Sequence, residues 1–204
     1  MKLKINCNWH RYVDLGLPSG ILWATCNIGA SEPWESGLYF SWGNVDGHEK
    51  GSWYNFSRTK YKSTPGASLI DSIPVNAKYD AARANLGGSW RMPTADEFKE
   101  LHDNCISEWT TQNGVYGRMF ISNINGNSVF FPVTGCYHGT MLIIAIAWGY
   151  HWSSSLYSQN TSQALYLNFN VTKTYGGYHR FLGFPVRPVL DHPKDSLLIK
   201  TIKR

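Results

Sequence analysis

At 204 residues, 43% hydrophobic and 16% charged, the chain can bury one sizeable core and lacks the composition of a disordered segment. Its formal net charge of +5 is modest, and Lys and Arg cluster densely only from Lys194 to Arg204, which does not suit nucleic-acid binding. The unbroken apolar run Met141–Trp148 falls well short of the ~20 residues of a spanning helix, so no membrane span is expected.

The opening stretch MKLKINCNWH has no apolar signal-peptide core and no small-residue cleavage site, so no secretion signal is recognised. Val13, Leu15 and Leu17 then alternate with Asp14 and Gly16 before Pro18-Ser19-Gly20. This predicts two short strands around a turn, with Ile21–Trp23 resuming the second. Residues 31–57 mix Gly, Ser and aromatics and predict irregular structure. Arg58–Pro74 is polar and predicts a long loop.

Two helices follow. Tyr79–Leu86 contains three alanines and ends at Gly87-Gly88. In RMPTADEFKELHDNC, Thr94 is an N-cap and Glu97 completes a capping box, with Asp96 and Glu97 at the positive end of the helix dipole. Phe98, Leu101 and Cys105 share one face. From Trp109 onward the pattern is β. Asn113-Gly114 and Asn125-Gly126 are turn signals, and Val129–Val133, HWSSSL, ALYLNFN and FLGFPVRPV are strand candidates. In ALYLNFN, Leu165, Leu167 and Phe169 share one face. Strands, then helices, then many antiparallel strands predict an α+β domain.

No catalytic or metal motif stands out. The seven histidines are scattered, and HExxH, GxSxG, GxGxxG and Walker-type spacings are absent. Cys7, Cys26, Cys105 and Cys136 lack metal-ligand spacing. Two disulfides are one reading, and free buried thiols the favoured one. Cys136 near His138 is a candidate thiol nucleophile, weighed against a buried strand-end cysteine. Ser153–Ser155 read as a hydrogen-bonding surface or an inter-strand fit, and Trp23, Trp42, Trp90, Trp109 and Trp152 as structural. Between Tyr137 and Phe181, aromatics crowd among Asn, Ser, Thr and Gly, a mixture suited to a binding surface.

YVDLGLPSGILWATCNIGA, GLYFSWGN, GGSWRMPTADEFKEL, WTTQNGVYG, GYHWSSSL and GFPVRPV together resemble the Fibrobacter succinogenes major paralogous domain family of Bacteroides-type bacteria and their phages. The resemblance runs from about Tyr12 to Val189. It implies a C-type lectin-like fold, with two helices packed on antiparallel β-strands and long irregular loops, and GFPVRPV as its closing strand. It also implies one domain over 1–190, whose part 137–188 is variable, and a basic tail over 191–204. The lectins' calcium motifs are missing, since Glu32-Pro33 is followed by Trp34. No cysteine pair near the C-terminal end matches the formylglycine-generating enzymes that share the fold.

Among relatives, the variable proteins of diversity-generating retroelements are the better match. In these, template adenines are randomised on copying. The resemblance assigns variable, ligand-binding positions to Ile143, Ile144, Ile146, Trp148, Tyr150, His151, Tyr157, Tyr166, Thr174, Tyr175, Tyr178, His179, Phe181 and Leu182. It assigns a fixed frame to Trp152, Ser153–Ser155, Leu167, Phe169, Arg180, Gly183 and Arg187. The expected function is a non-enzymatic receptor-binding protein, virion- or surface-displayed, with no cofactor and no metal. Its expected partner is a protein or glycan receptor on a cell surface, with a phage tail or surface carrier and a homo-oligomer as further associations. A carbohydrate-binding surface module is the alternative, and an enzyme of the formylglycine-generating type a third.

Overall fold

The computed structural model describes residues 11–52, 54–62, 77–143, 147–170 and 173–191. The expected basic tail beyond Asp191, and most of the loop after Lys62, lie outside them. The fold is α+β and mostly β, with all named strand pairs antiparallel. Among the described residues no helix is long and apolar enough to cross a membrane.

The N-terminal hairpin forms as its sequence predicts. β1 (Tyr12–Asp14) pairs with β2 (Leu22–Ala24), and Gly20 N–H closes the turn on the Leu17 carbonyl at 2.8 Å. The chain then runs irregularly to Ser57. One correction follows: α1 (Arg58–Lys62) is a short helix at the start of the expected loop, where Ser57 Oγ accepts from Lys60 N–H at 3.3 Å as a cap does.

A 3-10 turn (Ala77–Tyr79) leads to α2 (Ala81–Leu86), so the helix starts two residues later than expected. Its N-cap is Asp80, which accepts from Arg83 N–H and also from Met92 N–H at 2.9 Å, tying α2 to β3 (Trp90–Arg91). In α3 (Ala95–Asn104) the Thr94–Glu97 capping box is present in both directions. Phe98 and Leu101 are buried beneath it.

β4 (Cys105–Gln112) leaves α3 directly and returns as β5 (Val115–Ser122) through Asn113-Gly114. Both turn residues have positive φ, 46° and 78°, which only Asn and Gly adopt at small cost. β6 (Ser128–Pro132) completes that sheet in the order β4-β5-β6. β7 (Cys136–His138) and β8 (Met141–Ile143) form a hairpin whose second arm opens the apolar run Met141–Trp148. β9 (Gly149–Leu156), β10 (Gln163–Phe169) and β11 (Lys173–His179) form a sheet in the order β11-β10-β9.

FLGFPVRPV is not one strand. Pro185 and Pro188 lack the N–H that a ladder needs. Only β12 (Val189–Leu190) is regular, and it pairs with β2 and β3 to bring the two ends of the domain together. Upstream of it, Phe184 bridges to Phe40 and Gly183 to Tyr137.

Two large hydrophobic clusters result. The first gathers Leu15, Leu17, Trp23, Phe98, Phe120, Phe131, Leu167, Phe169 and Val189. The second gathers Phe40, Trp42, Met92, Tyr150, Trp152, Leu182, Phe184 and Val186. β9 stands between them, since Tyr150 and Trp152 belong to the second while the His151 ring packs on Phe131 and Phe169 of the first. Trp109, read as structural, is half-buried and stacks on Tyr116 at 5.9 Å. Cys26, Cys105 and Cys136 form no disulfide with one another.

Candidate ligand-binding face

The sheet β11-β10-β9 places large rings opposite small residues. Tyr166 lies across from Gly176 of β11 and from Trp152 of β9, and Tyr178 across from Ala164, so between β10 and β11 each ring faces a small residue. The rings then touch one another in series. Trp148 stacks near Tyr150 at 6.2 Å, Tyr150 on Tyr166 at 5.8 Å, and Tyr166 meets Tyr178 at 5.9 Å. From Tyr178 the series passes to His179 at 6.1 Å, to Phe181 at 5.2 Å and to His138 of β7 at 5.8 Å. This ribbon rises from buried to open. Tyr150 is 6% exposed, Tyr178 is 38% exposed, Trp148, Tyr166 and Phe181 are half-buried, and His138 and His179 are exposed. Met141 at the tip of the β7–β8 hairpin is 65% exposed beside half-buried Leu142 and Ile143.

The backing of the ribbon is rigid because its polar groups are satisfied. Phe40 and Phe184 exchange backbone hydrogen bonds at 2.9 and 3.1 Å, and Trp42 N–H donates to the Arg180 carbonyl at 2.8 Å. Ser41 Oγ donates to the Phe181 carbonyl at 3.0 Å. The two indoles brace the same junction: Trp152 Nε1 donates to the Phe40 carbonyl and Trp42 Nε1 to the Ser153 carbonyl, each at 2.8 Å. The Arg180 guanidinium lies over the Trp42 ring at 4.6 Å, and its Nε donates to Tyr61 Oη at 3.0 Å. Ring positions that would otherwise be loop-borne are therefore held from beneath.

The fourteen expected positions divide. Ile143, Trp148, Tyr166, Tyr178, His179 and Phe181 come together along this face. Tyr157 is half-buried but sits elsewhere. Its ring fills the space where a Cβ on Gly177 would fall, 2.6 Å from Tyr157 Cγ, on the opposite side of the sheet from Tyr166 and Tyr178. Ile144 and Ile146 lie outside the described residues, and Thr174 and Tyr175 are placed in β11 by backbone alone.

Tyr150, His151 and Leu182 are buried, at 6%, 0% and 3% exposure, and cannot touch a ligand on this surface. The reason is that β9 is covered on both faces, while Leu182 sits in a turn closed by its N–H on the His179 carbonyl at 3.1 Å. Burial, and then the charge of nearby Arg187, hold His151 far below its ordinary pKa, so it is a neutral core ring. His138 belongs to the face without having been singled out as a ligand position, while Leu142 packs against Tyr39, Phe56 and Tyr137. The signal that could have found His138 is the turn residue Gly139, φ 62°, which follows it just before the apolar run.

Frame positions behave alike. Trp152, Ser153, Ser154, Leu167, Phe169, Arg180, Gly183 and Arg187 are buried, and Ser155 is half-buried. The serines are an inter-strand fit. Ser153 Oγ donates to the Leu165 carbonyl at 2.7 Å, and Ser155 Oγ accepts from Ala95 N–H at 3.0 Å. Cys136 is 1% exposed, and burial pushes its thiol up to about 12, so it is no ready nucleophile. Among the described residues no group of three His, Cys, Asp or Glu side chains could hold a metal ion.

What fold and face define directly is a mostly antiparallel α+β domain with an aromatic ribbon on its surface. Comparisons with models of protein families, with curated proteins and with solved structures found no match.

Proposed function

We propose that the chain is a non-enzymatic receptor-binding protein, displaying a diversified aromatic and apolar surface on a C-type lectin-like scaffold as the variable protein of a diversity-generating retroelement. The observation that carries this reading is that the frame positions are buried while six of the variable positions reach one face, with Tyr150, His151 and Leu182 as buried exceptions. Eight frame residues are buried and Ser155 half-buried, whereas Ile143, Trp148, Tyr166, Tyr178, His179 and Phe181 line one face at half-buried or exposed positions. Variation is tolerated where side chains do not pack, and binding anchors must reach solvent. A few rings on a braced backing can supply affinity of about 1–3 kcal/mol each when a partner buries them.

The test is genomic. A near-copy of the codons for residues 137–188, differing only at adenines and lying near a reverse transcriptase gene, is the expected finding. A complete locus lacking both sinks the proposal.

The Tyr166–Tyr178 pair also favours a second reading, a carbohydrate-binding surface module, because adjacent half-open phenol rings suit stacking on a sugar. A consistent glycan preference on an array, lost in Tyr178→Ala and Trp148→Ala, is its expected signature. Binding to proteins alone excludes it.

A further inference from the structure

A cavity of about 630 Å³ opens between the Cys26–Trp34 loop, Arg11, Leu86 at the end of α2, and the Gln112–Asn113 tip of the β4–β5 hairpin. None of its lining residues belongs to the aromatic ribbon. Its size is that of a small-molecule site, for which about 300–1,000 Å³ is usual.

The walls are built in advance. The fully buried Arg187 guanidinium donates to the Ala24 carbonyl at 3.1 Å, the Thr25 carbonyl at 2.9 Å and Asn27 Oδ1 at 2.8 Å. Asn27 Nδ2 in turn donates to the Ser36 carbonyl at 3.0 Å. The Glu35 carboxylate accepts from Ser31 N–H at 2.7 Å and Glu32 N–H at 3.3 Å, closing the rim on itself. Backbone groups in the wall are thus committed, and what remains for a ligand is side-chain chemistry.

That chemistry is dipolar. The lining includes half-buried Glu32 and Trp34 and exposed Arg11. Among the described residues neither charged side chain has a hydrogen-bond partner. Apolar surface from Ile28, Ala30 and Leu86 and the two amides of Gln112 and Asn113 complete the lining.

We propose that this cavity binds a small zwitterion with an apolar body, of the amino-acid or dipeptide class, its ammonium at Glu32 beside the Trp34 ring and its carboxylate at Arg11. A neutral apolar ligand would cover half-buried Glu32 without pairing it and would leave Arg11 unused, whereas a singly charged one would pair with one of the two alone. The Trp34 face adds attraction for the ammonium. The proposal is independent of the aromatic ribbon and stands or falls apart from it.

Cys26 reports on occupancy, since its half-buried thiol lines the cavity while Cys105 and Cys136 are buried. In the Cys7→Ser protein, iodoacetamide alkylation of Cys26 is followed by mass spectrometry with four probes: leucine, leucyl-leucine, leucinamide and N-acetyl-leucine. Leucine or leucyl-leucine is expected to slow alkylation at concentrations up to about 10 mM, and whichever acts at the lower concentration names the source. Leucinamide and N-acetyl-leucine should each need about tenfold more, the usual cost of stranding one charge. Glu32→Gln should erase the advantage of leucine over N-acetyl-leucine, and Arg11→Gln its advantage over leucinamide. No protection by either zwitterion, or equal protection by all four probes on the unmodified walls, overturns the proposal without reference to the variants.

Discussion

The two large hydrophobic clusters meet solvent differently. Around the cluster of Trp23, Phe98 and Phe131, Val13 and Trp109 are the only partly buried hydrophobics leaning on it among the described residues. Around the cluster of Trp42, Trp152 and Phe184, Leu38, Tyr79, Ile143, Trp148, Leu156, Tyr166 and Phe181 do so. The first cluster is closed by its own helix and strands. The second continues outward as a ribbon of rings until it reaches water. An apolar core that ends in half-open rings on a backing braced by hydrogen bonds is arranged for a partner to finish. The same stacking that stabilises the fold therefore shapes the face.

The sharpest way to break this comparison is to remove the ring that joins core to face. Trp152 is 0% exposed, stacks on Phe184 at 4.1 Å and donates to the Phe40 carbonyl. Trp152→Ala is expected to lose about 3–5 kcal/mol in urea unfolding, from the cavity and from the loss of one of the two hydrogen bonds to the Phe40 carbonyl, which keeps the Phe184 N–H. A loss below about 1 kcal/mol would show that the second cluster is not a true core.

The next effect concerns the wall between the clusters. His151 is fully buried against Phe131 and Phe169, with Arg187 as the charge that bears on it, and neither ring nitrogen has a described partner. Its folded pKa is depressed below the ordinary 6.5. As pH falls below that value the unfolded chain takes up a proton that the folded chain refuses, so stability declines, by about 1.4 kcal/mol per pH unit for one such group. The decline continues until the folded pKa is reached. His151→Leu should flatten this acid-side loss between neutral pH and pH 5, read from urea midpoints. An unchanged pH slope in the variant would mean that His151 already meets solvent or a proton acceptor.

How much of this was legible in sequence follows from the range of the interactions involved. The α3 capping box and the Asn113-Gly114 hairpin are set by contacts a few residues apart, and both form as read. β11 was missed because Gly176 and Gly177 do not look like strand residues. At Gly177 the Tyr157 ring occupies the space a side chain would need, while Gly176 lies in ordinary contact with the Tyr166 ring. The family resemblance assigns His151 a ligand position, while Phe131, Phe169 and Arg187, which enclose it, come from elsewhere in the sequence. The β7–β8 hairpin has three residues in each arm, too few for alternation to mark a strand. The cavity beside Cys26 is made by four separate segments and has no linear trace.

On the closed side, local caps should matter in proportion to their hydrogen bonds and no further. Thr94→Ala removes the acceptor of Glu97 N–H at 3.1 Å and is expected to cost about 1 kcal/mol. It should leave any binding by the aromatic ribbon unchanged, because α3 packs beneath the other cluster. Weaker binding in this variant, with the melt only slightly lowered, would couple the two halves and contradict their separation.

The smallest expected effect on stability carries the most about function. Tyr178 is 38% exposed and touches Tyr166, His179 and Phe184 through ring contacts alone. It lies across from Ala164, so its removal opens space to solvent and does not leave an internal void. Tyr178→Ala should therefore cost less than about 1 kcal/mol of folding stability. If the ribbon is the surface a partner completes, the same change should weaken binding of that partner by tenfold or more, about 1.4 kcal/mol or above. Trp152→Phe makes the converse probe, since it disturbs the backing while leaving the exposed rings in place. A protein in which Tyr178→Ala destabilises the fold as much as a core substitution, with binding lost only in step with folding, would make the ribbon an ordinary edge of the core. A loss of binding at unchanged stability would separate what the rings do for the fold from what they do for a partner.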